Sequence, residues 1–194
     1  MEKDMTSLNA MTATQQEAVF ASAKGNSKAM NIALWILQVL WGIFYCFTGF
    51  GKLMCYRADV WNFTLHQPVA WFHAIPQWLF VFIGISEFLG GVGLILPAMT
   101  GIKPKLTAYA AVGLTVIMIL AAIFHITRGE VGFFIPMNLV LGGVTAFIAY
   151  GRMKVSLIAP SSRGIFRIVA GIVVLGALTF VGFAPIWYQV THAH

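Results

Sequence analysis

Five long apolar runs constrain this chain more than any other feature of its sequence. They cover roughly residues 30–51, 78–97, 106–127, 132–150 and 165–187. Each is about 20 residues long, the length that an α-helix needs to cross the hydrocarbon core of a bilayer. Only 9% of the residues are charged, far below the roughly 25% of soluble domains. The sequence therefore predicts an all-α membrane protein, a four-helix transmembrane bundle with a fifth C-terminal transmembrane helix.

The Lys and Arg residues between the runs predict the orientation of the bundle. Lys3, Lys24, Lys28, Lys103, Lys105, Arg152, Lys154, Arg163 and Arg167 lie in loops on the side of the N-terminus, and Lys52, Arg57 and Arg128 lie in loops on the other side. Cytoplasmic loops carry the excess of basic residues. We therefore expect a multi-pass protein of a bacterial inner membrane, with the N-terminus in the cytoplasm and the C-terminus outside. The net charge of +6 follows from these loops, and no nucleic-acid partner is expected.

Three parts of the chain are expected from this arrangement. Residues 1–29 form a polar cytoplasmic leader, rich in Thr, Ser, Gln and Ala, for which we expect a flexible or weakly helical arm. This leader has no short apolar core with a cleavage site, so the first run is expected to serve as its own insertion signal. Residues 30–152 form the four-helix bundle, and residues 153–194 form the fifth helix and a short outer tail.

Glu87 is the only charged residue of the second run. It lies nine residues beyond Trp78, about 14 Å below the membrane edge at 1.5 Å per residue. A carboxylate at that depth is costly, so it indicates a functional site. The glycines expected to serve helix packing are Gly84, Gly90, Gly91 and Gly93. Two of them share a helix face with Glu87, so we expect this face to lie inside the bundle. A structural acid holding one interhelical hydrogen bond is the open alternative.

Each of the first four runs carries a polar residue toward the predicted outer side. Taken alone, Lys52 can extend to the interface, His125 can bond a backbone carbonyl, and Asn138 can hold helices together. Taken together, an acid, a base and an imidazole can relay protons or bind a polar headgroup. The candidate catalytic residues are Glu87 and His125, and the candidate binding residues are Lys52, Asn138, Tyr45 and Trp61.

The loop between the first two runs, residues 54–77, is long and aromatic. Its Trp and Phe residues suit the headgroup level of a bilayer. The composition favours a plain linker along the membrane surface, and a flap over the mouth of the bundle is the alternative. His66 and His73 could share a helix face, but metal binding needs further ligands at suitable spacing. We therefore expect no metal site.

The residues around these polar groups are similar to those of a known family. The pattern consists of Gly49-Phe-Gly-Lys52-Leu53, Ser86-Glu87-Phe-Leu-Gly90-Gly91-Val-Gly93-Leu-Ile-Leu-Pro97, Met118-Ile-Leu-Ala121-Ala122-Ile-Phe-His125 and Asn138. Over roughly residues 30–152 the chain resembles the DoxX-like family of small membrane proteins. The resemblance implies a four-helix membrane bundle. It also implies a link to quinones, because some members are subunits of a thiosulfate:quinone oxidoreductase or a quinol oxidase. A fifth run, a polar leader and the lack of paired redox cysteines depart from the family pattern.

These observations predict a quinone-linked accessory subunit of an oxidoreductase system. A quinone headgroup would lie in the outer half of the bundle, with His125 as hydrogen-bond partner, Glu87 as proton acceptor and Lys52 tuning the Glu87 charge. The expected partners are the lipid bilayer and a membrane or periplasmic redox protein, with a homo-oligomer as a further candidate. A non-enzymatic assembly factor or structural subunit is the first alternative. A small lipid or solute carrier is the second. Nucleotide-binding and hydrolase motifs are absent from the sequence.

Overall fold

The computed structural model describes residues 2–155, except 68 and 102. The described residues form helices and no strand. The elements are α1 (Glu2–Met54), α2 (Ala58–Leu65), a 3₁₀-helix (Ala70–His73), α3 (Gln77–Thr100), α4 (Lys105–Thr127), α5 (Phe134–Tyr150) and a π-helical turn (Gly151–Val155). The predicted fifth run, at residues 165–187, lies outside the described residues.

Four helical segments are long and apolar enough to span a bilayer, which confirms the first four predicted spans. They are Lys28–Met54, Gln77–Thr100, Lys105–Thr127 and Phe134–Lys154. Helix α1 begins at Glu2, so the leader for which the sequence predicted a flexible or weakly helical arm has a helical backbone that continues into the first span.

The four spans form a bundle in which α1 packs against α3, α3 against α4, and α4 against α5. Glycines bring α1 and α3 into backbone contact between Gly42 and Leu53 of α1 and between Gly84 and Gly91 of α3. A Cβ atom built on Gly49 would lie 2.4 Å from the Phe88 backbone nitrogen. One built on Gly91 would lie 2.6 Å from the Gly42 carbonyl oxygen. Side chains larger than hydrogen would therefore force these two helices apart.

The bundle has a loop end and an Arg152 end. The loop end carries the described residues of 55–76, which exclude 68, with α2 and the 3₁₀-helix. The Arg152 end is the opposite one. Arg152 was predicted to lie in a loop, but the structure corrects this placement: Arg152 lies in the π-helical turn that extends α5, and only 4% of it is exposed.

The Arg152 end is closed by a buried polar network. The Arg152 Nε donates to the Gln38 side-chain oxygen, and its guanidinium lies 5.2 Å from the Trp35 ring centre. A second guanidinium nitrogen donates to the Asn31 side-chain oxygen at 2.7 Å. Gln38 in turn donates to the Leu94 carbonyl at 2.9 Å. These bonds join α1 to α3 and to the end of α5.

Candidate functional site

A cavity of about 440 Å³ lies among the four spans on the side of the loop end. Its wall is largely apolar, with contributions from α1, α3, α4 and α5. Five of the six polar or aromatic residues that the sequence singled out line it: Tyr45, Lys52, Glu87, His125 and Asn138. The sequence placed these residues at similar depth but left open whether their helix faces meet. The structure brings them together around one space.

Lys52 and Glu87 form an ion pair across the α1–α3 interface. The Lys52 ammonium lies 2.5 Å from Glu87 Oε2, and the Thr48 hydroxyl donates to the same oxygen at 3.2 Å. The Gly49–Gly84 contact brings the two helices close enough for this pair. Among the described residues no hydrogen bond reaches Glu87 Oε1, so this oxygen is left for a molecule in the cavity.

Two further wall residues carry polar atoms that are buried and unpartnered. The Tyr45 hydroxyl and the Asn138 side-chain nitrogen have no hydrogen-bond partner among the described residues. Both residues are almost fully buried, at 1% and 4% exposure. An unmade hydrogen bond of this kind costs about 1–3 kcal/mol. These two donors therefore point to a ligand with oxygen acceptors.

His125 ends the wall at the loop end and is held by Glu130. Its Nδ1 lies 2.7 Å from a Glu130 carboxylate oxygen. Because a carboxylate accepts, Nδ1 carries the proton, and Nε2 is the ring nitrogen left for the cavity. The Phe134 ring stacks on the imidazole at 4.3 Å between ring centres, and the Trp71 ring meets it edge-on at 6.0 Å. The orientation of the imidazole is thus fixed from three sides.

The end of α4 explains how Glu130 reaches His125. Gly129 adopts a left-handed backbone conformation, with φ of 72°. The Glu130 amide then donates to the His125 carbonyl at 2.9 Å, and the Gly129 amide donates to the Ile126 carbonyl at 3.0 Å. This pair of bonds is the Schellman motif that commonly ends helices at a glycine. It folds the chain back so that the Glu130 carboxylate lies beside the imidazole.

The Glu130 carboxylate is itself paired with Arg128. Arg128 Nε donates to its second oxygen at 2.9 Å. This hydrogen bond, followed by the one from His125, holds the pKa of the Glu130 carboxyl below its usual value. Glu130 therefore remains a charged acceptor for His125 at neutral pH.

Trp61 is the predicted binding residue that does not reach the cavity. It belongs to α2 and packs on Phe80, with 5.5 Å between ring centres. Trp71, of the 3₁₀-helix, stacks on Phe80 at 5.4 Å and lines the cavity with Ile75. The favoured expectation of a plain surface linker is therefore wrong, because these apolar residues are partly buried against the end of the bundle. The described residues of 58–75, which exclude 68, form the flap that was the alternative.

The predicted packing glycines lie at helix contacts. Gly84 and Gly91 face α1, where a Cβ would come within 2.5 Å and 2.6 Å of backbone atoms. Gly90 and Gly93 face α4, where a Cβ would lie 2.5 Å from Leu114 and 2.7 Å from Ala110.

Thr48 and Glu130 are site residues to which the sequence reasoning gave no role. Thr48 lies one helical turn from Tyr45 and from Lys52. Its position on the same helix face as these two candidates could have identified it as a site residue. Glu130 was also identifiable from nearby residues. A glycine four residues after His125 predicts a helix end at which the chain turns back, and Glu130 is the next residue after that glycine.

The arrangement suits an amphiphile with a small polar head. Apolar walls with a few convergent polar groups are typical of small-molecule sites. Here the wall offers two unpartnered donors, a carboxylate oxygen beside an ammonium, and an imidazole nitrogen. Together these groups can bind oxygen acceptors and exchange protons with them.

Comparison with known proteins agrees with the architecture. The family model of the DoxX-like family matches residues 36–148, which is more than half of the chain and includes the five predicted site residues that line the cavity. No curated protein and no solved structure is significantly similar to the chain.

Proposed function

We propose that this chain, which belongs to the DoxX-like family, is a quinone-linked accessory subunit of an oxidoreductase system in a bacterial inner membrane. The observation that carries the proposal is the pair of buried, unpartnered donors of Tyr45 and Asn138 in the wall of an apolar cavity. A quinone ring is flat, apolar and edged by carbonyl oxygens that need such donors. Its lipid-soluble tail matches a site within a membrane bundle.

The residues of this chain would hold the headgroup and handle its protons. A bound quinone would supply two-electron, two-proton redox chemistry, with the electrons exchanged with a membrane or periplasmic redox protein. Tyr45 and Asn138 donate hydrogen bonds to the headgroup oxygens. Glu87 Oε1 accepts a proton from the headgroup, or returns one to it, at the deep end of the cavity, and the Lys52 ammonium beside Oε2 stabilises the deprotonated carboxylate.

His125 provides the second proton position, at the loop end. Glu130 keeps the proton on Nδ1, so Nε2 accepts a proton from the headgroup side. The resulting imidazolium is stabilised by the Glu130 carboxylate. The distribution of Lys and Arg in the sequence predicts that the loop end faces outward, so protons that leave through His125 are released on the outer side.

The test is a purification of the full-length protein from bacterial membranes in mild detergent, followed by quinone analysis of an organic extract. We expect near-stoichiometric quinone in the wild type. The Glu87→Gln and His125→Ala variants should retain less than about a tenth of it, because a lost charge-assisted hydrogen bond costs about 1.5–3 kcal/mol. Asp59→Asn is the matched control, since Asp59 lies on α2 and pairs with Arg57 away from the cavity.

Three results would contradict the proposal. Quinone retained in full by both cavity variants would remove Glu87 and His125 from the site. A quinone-free wild type that elutes with a larger membrane complex would favour the assembly or structural role. A quinone-free wild type that moves a lipid or solute across vesicle membranes would favour a carrier.

A further inference from the structure

The wall of the cavity becomes apolar where it reaches the surface of the bundle. Its exposed members are Phe44, Phe82 and Leu120, with exposed fractions of 40%, 59% and 60%. Four of its polar members, Tyr45, Glu87, His125 and Asn138, are at most 5% exposed, and the Lys52 side chain is 19% exposed. Leu120 lies seven residues before the end of α4 at Thr127, about 10 Å along the helix axis at 1.5 Å per residue. The cavity therefore meets its surroundings at bilayer depth, through apolar side chains.

The interfaces between the helices show where the opening lies. Helices α3 and α4 contact each other through Gly90 and Gly93, in the half of the bundle toward the Arg152 end. In the other half, Phe82 of α3 and Leu120 of α4 border the cavity instead. The α1–α3 interface, by contrast, is closed by Gly49 at the loop end and by Gly42 further in. The loop-end halves of α3 and α4 therefore leave a gap beside the cavity, bordered by the two most exposed wall residues. The α1–α5 interface, where contact is weaker and Phe44 is exposed, is the alternative opening.

The flap covers the cavity toward the loop end. Trp71 and Ile75 of the flap line the cavity. Trp71 contacts His125 and Phe80, and it meets the Phe72 ring edge-on with 4.7 Å between ring centres. An aromatic cover of this kind is a poor route for a polar molecule from water. A molecule dissolved in the bilayer can reach the same cavity laterally, without crossing the aromatic cover.

We infer that the ligand enters from the bilayer between Phe82 and Leu120, and that its apolar tail remains in this gap while its head lies among the polar residues. This inference rests on the proposed function for the nature of the head, and it adds the entry route and the requirement for a tail. The ligand class is a lipid-tailed molecule with a small, oxygen-bearing ring, held by both its head and the first part of its tail.

The test compares tailed and tailless probes on full-length protein in lipid vesicles. The probes are tritiated decylubiquinone and the tritiated tailless parent benzoquinone. Leu120→Trp and Phe82→Trp fill the gap from either side, and both positions are exposed enough to accept the ring without loss of folding. We expect decylubiquinone to associate about ten-fold more slowly with both variants, as is usual when access is restricted, while the tailless probe is unaffected. Phe44→Trp tests the alternative opening on the α1 side of the wall, and Leu89→Trp is the matched control, at an exposed position of α3 outside the cavity lining.

Equal association rates in wild type and both gap variants would overturn the inference, as would slowing by Phe44→Trp alone. Failure of the proposed function gives a different result, namely a wild type that binds neither probe. In that case a nitroxide spin label on Ser86→Cys, in a Cys46→Ala, Cys55→Ala background, still shows whether the cavity opens to the bilayer or to water, because Ser86 lines the cavity. Relaxation by dissolved oxygen but not by a water-soluble nickel chelate supports an opening to the bilayer. The reverse pattern overturns it.

Discussion

The two ends of the bundle treat a buried charge differently. At the loop end, the Lys52–Glu87 ion pair faces a cavity of about 440 Å³. At the Arg152 end, the guanidinium is enclosed by Gln38, Asn31 and Trp35. Both ends bury a charge between helices that glycines bring close together. At the Arg152 end, a Cβ on Gly151 would lie 2.5 Å from the Leu34 side chain. At the loop end, two polar groups stay unpartnered around an open space.

The difference separates charges that hold the bundle together from charges that are available to a ligand. Burying a charge is costly wherever it lies, so both ends need compensating hydrogen bonds. The neutral amides at the Arg152 end compensate the guanidinium and contribute bonds between helices. At the loop end the charges pair with each other, but the unpartnered Tyr45 and Asn138 atoms belong to the wall of an open cavity, and that combination is what marks a binding site.

The largest effect is expected for Lys52→Met, which removes one partner of the loop-end ion pair. A buried carboxylate left without its cation destabilises a protein by about 3–5 kcal/mol. We expect a marked loss of folded protein, measured by size-exclusion chromatography after heating in mild detergent. The double variant Lys52→Met, Glu87→Gln should recover most of the folded yield, since no charge is then stranded, but it should still lack quinone. Full quinone content in the double variant would contradict the role of the pair in binding.

A smaller effect is expected at the Arg152 end from Arg152→Met. The buried Gln38 side-chain oxygen loses a bond to a charged donor, worth about 1.5–3 kcal/mol. The Asn31 oxygen is only part-buried, so its loss costs less, and no charge is stranded. The melting temperature in detergent should therefore fall, while quinone bound per folded protein should stay at the wild-type value. If quinone binding fell in proportion to stability, the two ends would not differ in the way proposed.

Gly49→Ala tests the helix contact that supports the loop-end pair. The added Cβ would lie 2.4 Å from the Phe88 backbone nitrogen, so α1 and α3 must separate. Overpacking of this kind costs about 1–3 kcal/mol, and the melting temperature should fall accordingly. Gly113→Ala is the matched control, since no atom lies within 4 Å of its added Cβ. A loss of stability in the control equal to that of Gly49→Ala would refute the packing explanation.

The four described spans were predictable from the sequence because membrane helices need long apolar runs. Glu87 was identifiable as well, since a lone charge in such a run is conspicuous. The flap was not, because the same aromatic residues suit a membrane interface and a buried cover equally well. Arg152 was misplaced for a related reason: charge counting treats every base beyond an apolar run as a loop residue, whereas here the helix continues and Gln38 compensates the charge.

A modest effect is expected from Gly129→Ala, at the turn that places Glu130 beside His125. The backbone there has φ of 72°, and a residue with a Cβ pays about 1 kcal/mol for that conformation. No atom lies within 4 Å of the added Cβ, so the loss of stability comes only from the strained backbone conformation. We expect a slight loss of stability but a clear drop in quinone affinity, because the Nδ1–Glu130 bond is disturbed. Unchanged affinity would show that the turn does not act through His125.

The smallest effect is expected from acidification, which acts on Glu130. Hydrogen bonds from Arg128 and His125 hold the pKa of this carboxyl below its usual value. A lowered pKa in the folded state contributes stability that is present above the usual carboxyl pKa of about 4.3 and is lost as the pH falls through the lowered value. Glu130→Gln should therefore remove part of the fall in melting temperature at acid pH, and it should weaken quinone binding at neutral pH.

Asp59 offers the contrast, because Arg57 lowers its pKa in the same way but outside the cavity lining. Asp59→Asn should change the acid response of stability while leaving quinone binding unchanged. Equal losses of quinone binding in both variants would show that surface ion pairs at the loop end act only through general stability.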